Sequence, residues 1–184
     1  MVNDLVLRAE TLDDYDAIRD VVTAAFKSPV EALLVDNIRA TPEYVPAWAL
    51  VAEVDGTIVG HVMISYAALL SLDDAPAVDG PGRIAMLSPL AVAPESERRG
   101  IGSALVRAAC GLADTAGEPA VMLEGSPVYY GRFGFEHARP LGIHIALPSW
   151  APDEAGQLLR LTRHSANFAG KVVYTSAFDG VTDH

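Results

Sequence analysis

The chain is poor in cysteine, in positive charge and in long apolar runs. Cys110 is its one cysteine, so no intrachain disulfide can form and a reducing compartment fits. Lys and Arg number 13 against 24 Asp and Glu, a formal net charge of −11. That deficit argues against nucleic acid as a partner, because phosphate-backbone binding needs a basic face. It weakly favours a cationic substrate by steering, although solubility would explain it as well. No apolar run is long enough to span a bilayer, so no membrane association is expected. The opening Met1-Val2-Asn3-Asp4-Leu5 lacks the basic region and apolar core of a secretory signal. A soluble, cytoplasmic protein is the expectation. The five histidines show no metal-like pairing with each other or with Cys110, and no metal is expected.

What is present is a core. Hydrophobic residues make up 51% of the 184 positions, enough to fill one domain with a tail. Leu5 to Arg8 reads as a strand. Thr11 then stands as an N-cap before a helix predicted from Leu12 to Phe26, with Ile18, Val21, Val22, Ala25 and Phe26 at helical spacing. Ser28 and Pro29 open a second helix, with Leu33, Leu34, Asn37 and Ile38 expected on one face. Trp48 to Val54 and Thr57 to Leu69 read as strands joined by Asp55-Gly56, a two-residue hairpin signal. A hydrophilic loop with Asp73, Asp74, Asp79, Gly80 and Gly82 leads to a strand from Arg83 to Val92. Pro89 inside that strand marks an edge or a bulge.

A helix after Gly100 carries Ile101, Leu105, Ala108, Ala109 and Leu112 on one face and is closed by Gly117 and Pro119. Ala120 to Glu124 is an apolar strand of the fully buried kind. Strand–helix–strand order here implies a parallel pair, and the hairpins imply antiparallel neighbours. Beyond Leu147 the pattern loosens. Pro148, Pro152, Asp153 and Glu154 form a connector with one helical turn, and Lys171 to Tyr174 reads as a closing strand.

The most informative stretch runs from Ser88 to Leu105. An apolar strand enters a turn, Glu97-Arg98-Arg99-Gly100-Ile101-Gly102-Ser103, that opens straight into a helix. Peptide N–H groups, the positive end of a helix dipole and two guanidiniums converge there, which suits a pyrophosphate. The turn is not a P-loop, because Ser103-Ala104 follow Gly102. Nor is it a dinucleotide fingerprint, because position 105 is leucine.

The run Leu90-Ala91-Val92-Ala93-Pro94, then Glu97 to Gly102, resembles the GCN5-related N-acetyltransferase superfamily, whose loop reads Gln/Arg-x-x-Gly-x-Gly/Ala. Tyr130-Gly131-Arg132-Phe133-Gly134-Phe135 matches that family's Tyr-x-x-x-Gly-Phe. The Tyr129-Tyr130 doublet, and Gly170 to Tyr174 before Ala177-Phe178, look similar to the bacterial YhbS-like branch. Glu97 departs from the family pattern and implies weaker cofactor affinity than in relatives.

The resemblance implies a mixed, mostly antiparallel sheet with helices on both faces and a splayed central parallel strand pair. Residues 3–147 would form the acetyltransferase domain, and residues 148–184 a C-terminal extension packed on it. It implies acetyl-CoA as acyl donor and an amine on a small molecule or protein as acceptor, in a monomer or homodimer.

The pantetheine arm would pair beside Leu90, Ala91 and Val92, with the Val92 N–H as oxyanion donor and Glu97, Arg98, Arg99, Gly100, Ile101, Gly102 and Ser103 around the diphosphate. Tyr130 fits the general acid, because a phenol with a pKa near about 10 keeps its proton at neutral pH. The plainer reading of Tyr130 is a packed aromatic. Glu124 could relay the amine's proton, bind a cationic substrate, or be a solvated strand end. Glu53 and His61 are weaker candidates for the base, His61 being readable as an outer-face residue. Cys110 reads as a small buried hydrophobe, and Trp48 and Trp150 as core or rim aromatics. Tyr15 and Phe26 fall on the first helices, which the resemblance places beside the acceptor pocket, with core packing the stronger reading. A non-catalytic acyl-CoA sensor is the reading in competition.

Overall fold

Asp55 and Gly56 both hold positive φ, 50° and 75°. That pair of left-handed residues is the type I′ turn expected of Asp-Gly, and it sets the hairpin around which the first half of the chain is built. The computed structural model describes residues 4–72 and 82–180. The acidic-loop residues Asp73, Asp74, Asp79 and Gly80 lie outside the described residues. By contact density the chain divides into two compact units. One takes the residues up to Ser65 together with Leu87–Leu112, and the other takes Tyr66–Met86 with the residues from Ala113 onward.

The first unit holds β1 (Leu5–Ala9), α1 (Tyr15–Phe26), α2 (Val30–Arg39), β2 (Tyr44–Val54) and most of β3 (Thr57–Leu70). It also holds the end of β4 (Arg83–Val92) and most of α3 (Ile101–Thr115). β1, β2 and β3 are successive antiparallel neighbours, Leu5 facing Val54 and Leu50 facing Val62. Strand β2 begins at Tyr44, earlier than the Trp48 expected from hydrophobicity.

Thr11 and Asp14 form a reciprocal capping box. Asp14 accepts the Thr11 N–H at 2.7 Å. A single turn of 3-10 helix, Leu12–Asp14, precedes α1. At α2 the Ser28 hydroxyl accepts the Val30 N–H at 3.1 Å. The buried face of α2 is Ala32, Leu34, Val35 and Ile38. Leu33 stays 56% exposed and Asn37 is exposed too, a correction to the face expected for this helix.

The second unit holds β5 (Ala120–Glu124), α4 (Pro127–Tyr130), β6 (Glu136–His137), β7 (Ile143–His144), β8 (Gly156–Arg160) and β9 (Gly170–Val173). β5 is parallel to β4 at Ala85–Val121 and Met86–Met122. The right-handed, helix-linked order predicts this parallel relation. β8 runs antiparallel to β5 along five residues and also pairs β6. β9 pairs the end of β3 antiparallel and β7 parallel. The sheet is thus mixed and mostly antiparallel. Strands β6, β7 and β8 are not foreseen in the sequence, and β9 ends at Val173 rather than Tyr174. Gly117, at φ 88°, closes α3 as predicted, with the Glu118 N–H bonded to the Ala113 carbonyl at 3.1 Å. Among the described residues no helix is long and apolar enough to cross a membrane.

Candidate active site

The anion loop grows out of β4. Ser88, Leu90 and Val92 are half-buried while Leu87, Pro89 and Ala91 are buried. This is the period-2 alternation of a strand with one tightly covered face. The Ala93 N–H then bonds to the Val59 carbonyl at 2.8 Å, and Pro94–Ser96 make one 3-10 turn. Arg98 adopts φ 58° and Gly100 φ 87°. Two left-handed residues so close together bend the chain sharply into α3.

The α3 ladder begins with the Ala104 N–H on the Gly100 carbonyl at 3.0 Å. The amides of Ile101, Gly102 and Ser103 therefore have no acceptor within the helix and carry its positive dipole end. A Cβ built on Gly100 meets nothing within 4 Å, so the space over the loop is open. Glu97, Arg98 and Arg99 are exposed. Behind the loop, a Cβ on Gly60 would lie 3.0 Å from Leu105 Cδ1 and 3.2 Å from Ile101 Cγ2. Glycine lets α3 press against β3, and this fixes the direction of its N-terminus.

The other candidate residues belong to the second unit. β5 ends at Glu124. Ser126 and Pro127 start α4, which carries Tyr130, and the Ser126 hydroxyl accepts the Tyr129 N–H at 3.4 Å. Gly125 stands between the two. Its N–H donates to the Ala155 carbonyl at 2.9 Å, and its carbonyl accepts from Gln157 Nε2 at 3.0 Å. A Cβ there would come within 2.5 Å of Tyr130 Cε2. The half-buried Tyr130 ring meets Tyr129 edge-on at 4.9 Å and Phe135 at 5.8 Å.

Glu124 is exposed as a residue, yet its carboxyl is crowded by the chain around it. Burial raises its pKa and a hydrogen bond from Tyr174 pulls it partly back, leaving it above the ordinary value. That bond, Tyr174 hydroxyl to Glu124 Oε1, is the feature the sequence did not disclose. Its partners are fifty residues apart, and the sequence pattern shows only a tyrosine after a short strand.

The reading of one weaker base candidate is corrected. His61 is not on an outer face. It is fully buried, with Nε2 2.8 Å from Glu10 Oε2. Glu53 accepts from Arg8 Nε at 3.1 Å. Cys110 is buried, and desolvation pushes its thiol up to about 12, which makes it inert at neutral pH. Trp48 is buried while Trp150 is 73% exposed. Phe26 is exposed, and Tyr15 carries the Arg39 guanidinium 3.6 Å above its ring.

The family model described as "Acetyltransferase (GNAT) domain" matches residues 6–138. The chain belongs to the GNAT acetyltransferase family. It is 34% identical over 123 residues to the uncharacterized N-acetyltransferase YjhQ of Escherichia coli K12. That alignment covers 67% of this chain and spans 65% of the length of YjhQ. Among solved structures, the GNAT protein YhbS of Escherichia coli in complex with CoA shares 27% identity at a TM-score of 0.80, over 95% of this chain and 92% of that one. A GNAT acetyltransferase of Brucella melitensis in complex with acetyl-CoA shares 28% identity at a TM-score of 0.74, over 96% and 99%. The mixed sheet with its parallel β4–β5 pair is the fold of these GNAT proteins.

Proposed function

We propose that this GNAT protein is an acetyl-CoA-dependent N-acetyltransferase that moves the acetyl group directly from the thioester to a primary amine of a small molecule or protein. The observation that carries this reading is the loop at the head of α3. It combines left-handed Arg98 and Gly100, open space over Gly100, free first-turn amides and two adjacent guanidiniums. These groups match a diphosphate, and two GNAT relatives of similar fold hold CoA or acetyl-CoA.

Each step of the transfer has a residue suited to it. Amides from Ile101 to Ser103, with Arg98 and Arg99, hold the diphosphate. Leu90, Ala91 and Val92 offer strand backbone to the pantetheine arm, and the Val92 N–H is assigned to the developing oxyanion. Glu124, whose carboxyl burial raises above its ordinary value, takes the proton of the amine directly or through water. Tyr130 gives its phenolic proton to the departing thiolate. The buried single thiol Cys110 suits a reducing compartment, and we assign the reaction to the cytoplasm.

Release of free thiol from acetyl-CoA across a panel of primary amines tests the reading. Turnover that is lost in Tyr130→Phe and Glu124→Gln, with acetyl-CoA affinity retained, is the expected result. Tight acetyl-CoA binding with no turnover of any amine would replace the enzyme with an acyl-CoA sensor.

A further inference from the structure

Tyr174 directly follows β9, yet its hydroxyl donates a hydrogen bond to Glu124 Oε1 at the end of β5. The ring is held in place. Phe178 is buried and stacks on Tyr174 at 5.1 Å with the planes 35° apart. Directly opposite Glu124 on β8 is Gly156, which has no side chain to orient the carboxylate. We propose that Tyr174 is a positioning residue for Glu124, tying down Oε1 so that Oε2 is presented to take a proton from the acceptor amine.

This inference rests on the N-acetyltransferase reading. In the step, an ammonium acceptor loses one proton to Oε2, leaving a neutral amine with its lone pair free to attack and a carboxyl that is protonated. Without the Tyr174 bond the carboxylate would have more than one rotamer open to it, and only a fraction of its orientations would face the amine.

The electrostatics support the geometry. Burial raises Glu124, and the Tyr174 bond opposes it. Burial, then the adjacent carboxylate, raises the Tyr174 phenol well above its ordinary value, so the phenol remains the donor at every working pH. On the neighbouring elements the titratable groups include His144 on β7, Lys171 on β9, Tyr129 and Tyr130 on α4, and Asp153 and Glu154 before β8. Asp153 is engaged by Arg139 at 2.7 Å and His137 at 3.0 Å. His144 and Lys171 line, with Ile145, Val172, Val173 and Tyr174, a groove of about 460 Å³.

The test uses the full-length protein with ¹³C-labelled glutamate carboxyls, and Glu124→Gln assigns the Glu124 resonance. In Tyr174→Phe that resonance is expected to titrate at higher pH, because the lost bond favoured the charged form while the burial remains. In acetyl transfer from acetyl-CoA to 2-phenylethylamine, the acid limb of kcat moves the same way. The rate on that limb falls about tenfold, the effect of one charge-assisted hydrogen bond, and KM for acetyl-CoA is unchanged. An unmoved Glu124 resonance overturns the proposal, and so does a moved resonance with an unmoved acid limb. A moved resonance in a protein that acetylates no primary amine overturns the enzyme reading and the proton role with it, leaving only the tie between the two side chains.

Discussion

Glu10 is buried in the first unit. Its carboxylate has no exposure and accepts from Arg39 Nε at 2.9 Å and Nη2 at 2.8 Å. It also accepts from Tyr44 at 2.8 Å and lies 2.8 Å from His61 Nε2. Burial pushes its pKa up, but the bonds from His61, Arg39 and Tyr44 outweigh that and hold it at about 2. Arg39 already supplies the positive charge, and burial keeps His61 below its ordinary value. His61 is therefore neutral, its Nε2–H donating to Glu10 and its Nδ1 left without a partner.

Two acid-sensitive steps follow from the signs. His61 binds a proton in the unfolded chain below its ordinary 6.5 but not in the fold, so stability falls as pH drops below that value. Glu10 is depressed in the fold, so its contribution is complete above its ordinary 4.5 and is lost as pH falls toward about 2. Glu10's share of the second step amounts to about 3 kcal/mol, and Asp14, held low by its hydrogen bonds from Arg8, adds to the same decline. Urea midpoints at pH 7.5, 5.5 and 3 should decline twice, and His61→Gln, which keeps a donor for Glu10, should lose most of the upper decline. A smaller part of that decline belongs to His164, also lowered by burial and by Arg160. An unchanged upper decline in His61→Gln would refute the assignment. Arg39→Met strands the carboxylate and should cost about 3–5 kcal/mol, measured by the same unfolding curves.

At the scale of elements, the loop before α3 tests its own chemistry. Glu97 places a carboxylate where the family usually carries Gln or Arg, beside two arginines and a helix N-terminus. Glu97→Gln should tighten acetyl-CoA binding by about two- to fivefold in calorimetry, the size of one exposed charge near a helix end. No tightening would count against the weaker affinity expected from Glu97. In the second unit, Gly125→Ala would drive a methyl into the Tyr130 ring at 2.5 Å. Turnover should fall at least tenfold with acetyl-CoA affinity intact, because the displaced ring is on a different element from the diphosphate loop.

These elements also show what sequence can carry. The Asp55-Gly56 turn, the ends of β4 and β5 and the loop from Glu97 to Ser103 are legible because their chemistry is local: positive φ, period-2 burial, first-turn amides. The buried face of α2 is misread because Leu33 is apolar yet points outward, and periodicity alone does not say which stripe meets the sheet. β8 is invisible in Gly156-Gln157-Leu158-Leu159-Arg160, since its identity as a strand comes from β5. Gln157 is 1% exposed, and its amide is matched to the Gly125 carbonyl. Neither that match nor the Tyr174–Glu124 bond leaves any trace in spacing.

For the molecule as a whole, the question is whether residues after Leu147 are an appendage. The family match stops at residue 138, whereas the second unit does not. β8 pairs with every residue of β5, from Ala120–Arg160 to Glu124–Gly156. Leu158 is fully buried, and Phe168, Val172 and Phe178 are nearly so. Each such side chain contributes roughly 1.5–3 kcal/mol of burial, so four approach the entire stability of an ordinary domain, about 5–15 kcal/mol. Cutting at Leu147 would also unpair the Gly125 N–H from Ala155 and its carbonyl from Gln157, exposing a hydrophobic strand edge to other chains. We therefore propose that residues 148–184 complete the acetyltransferase domain rather than decorate it. A chain of residues 1–147 should accumulate in inclusion bodies and show no cooperative unfolding after refolding. A soluble 1–147 chain with a sigmoidal urea transition and the acetyl-CoA affinity of the full protein would show the extension to be dispensable.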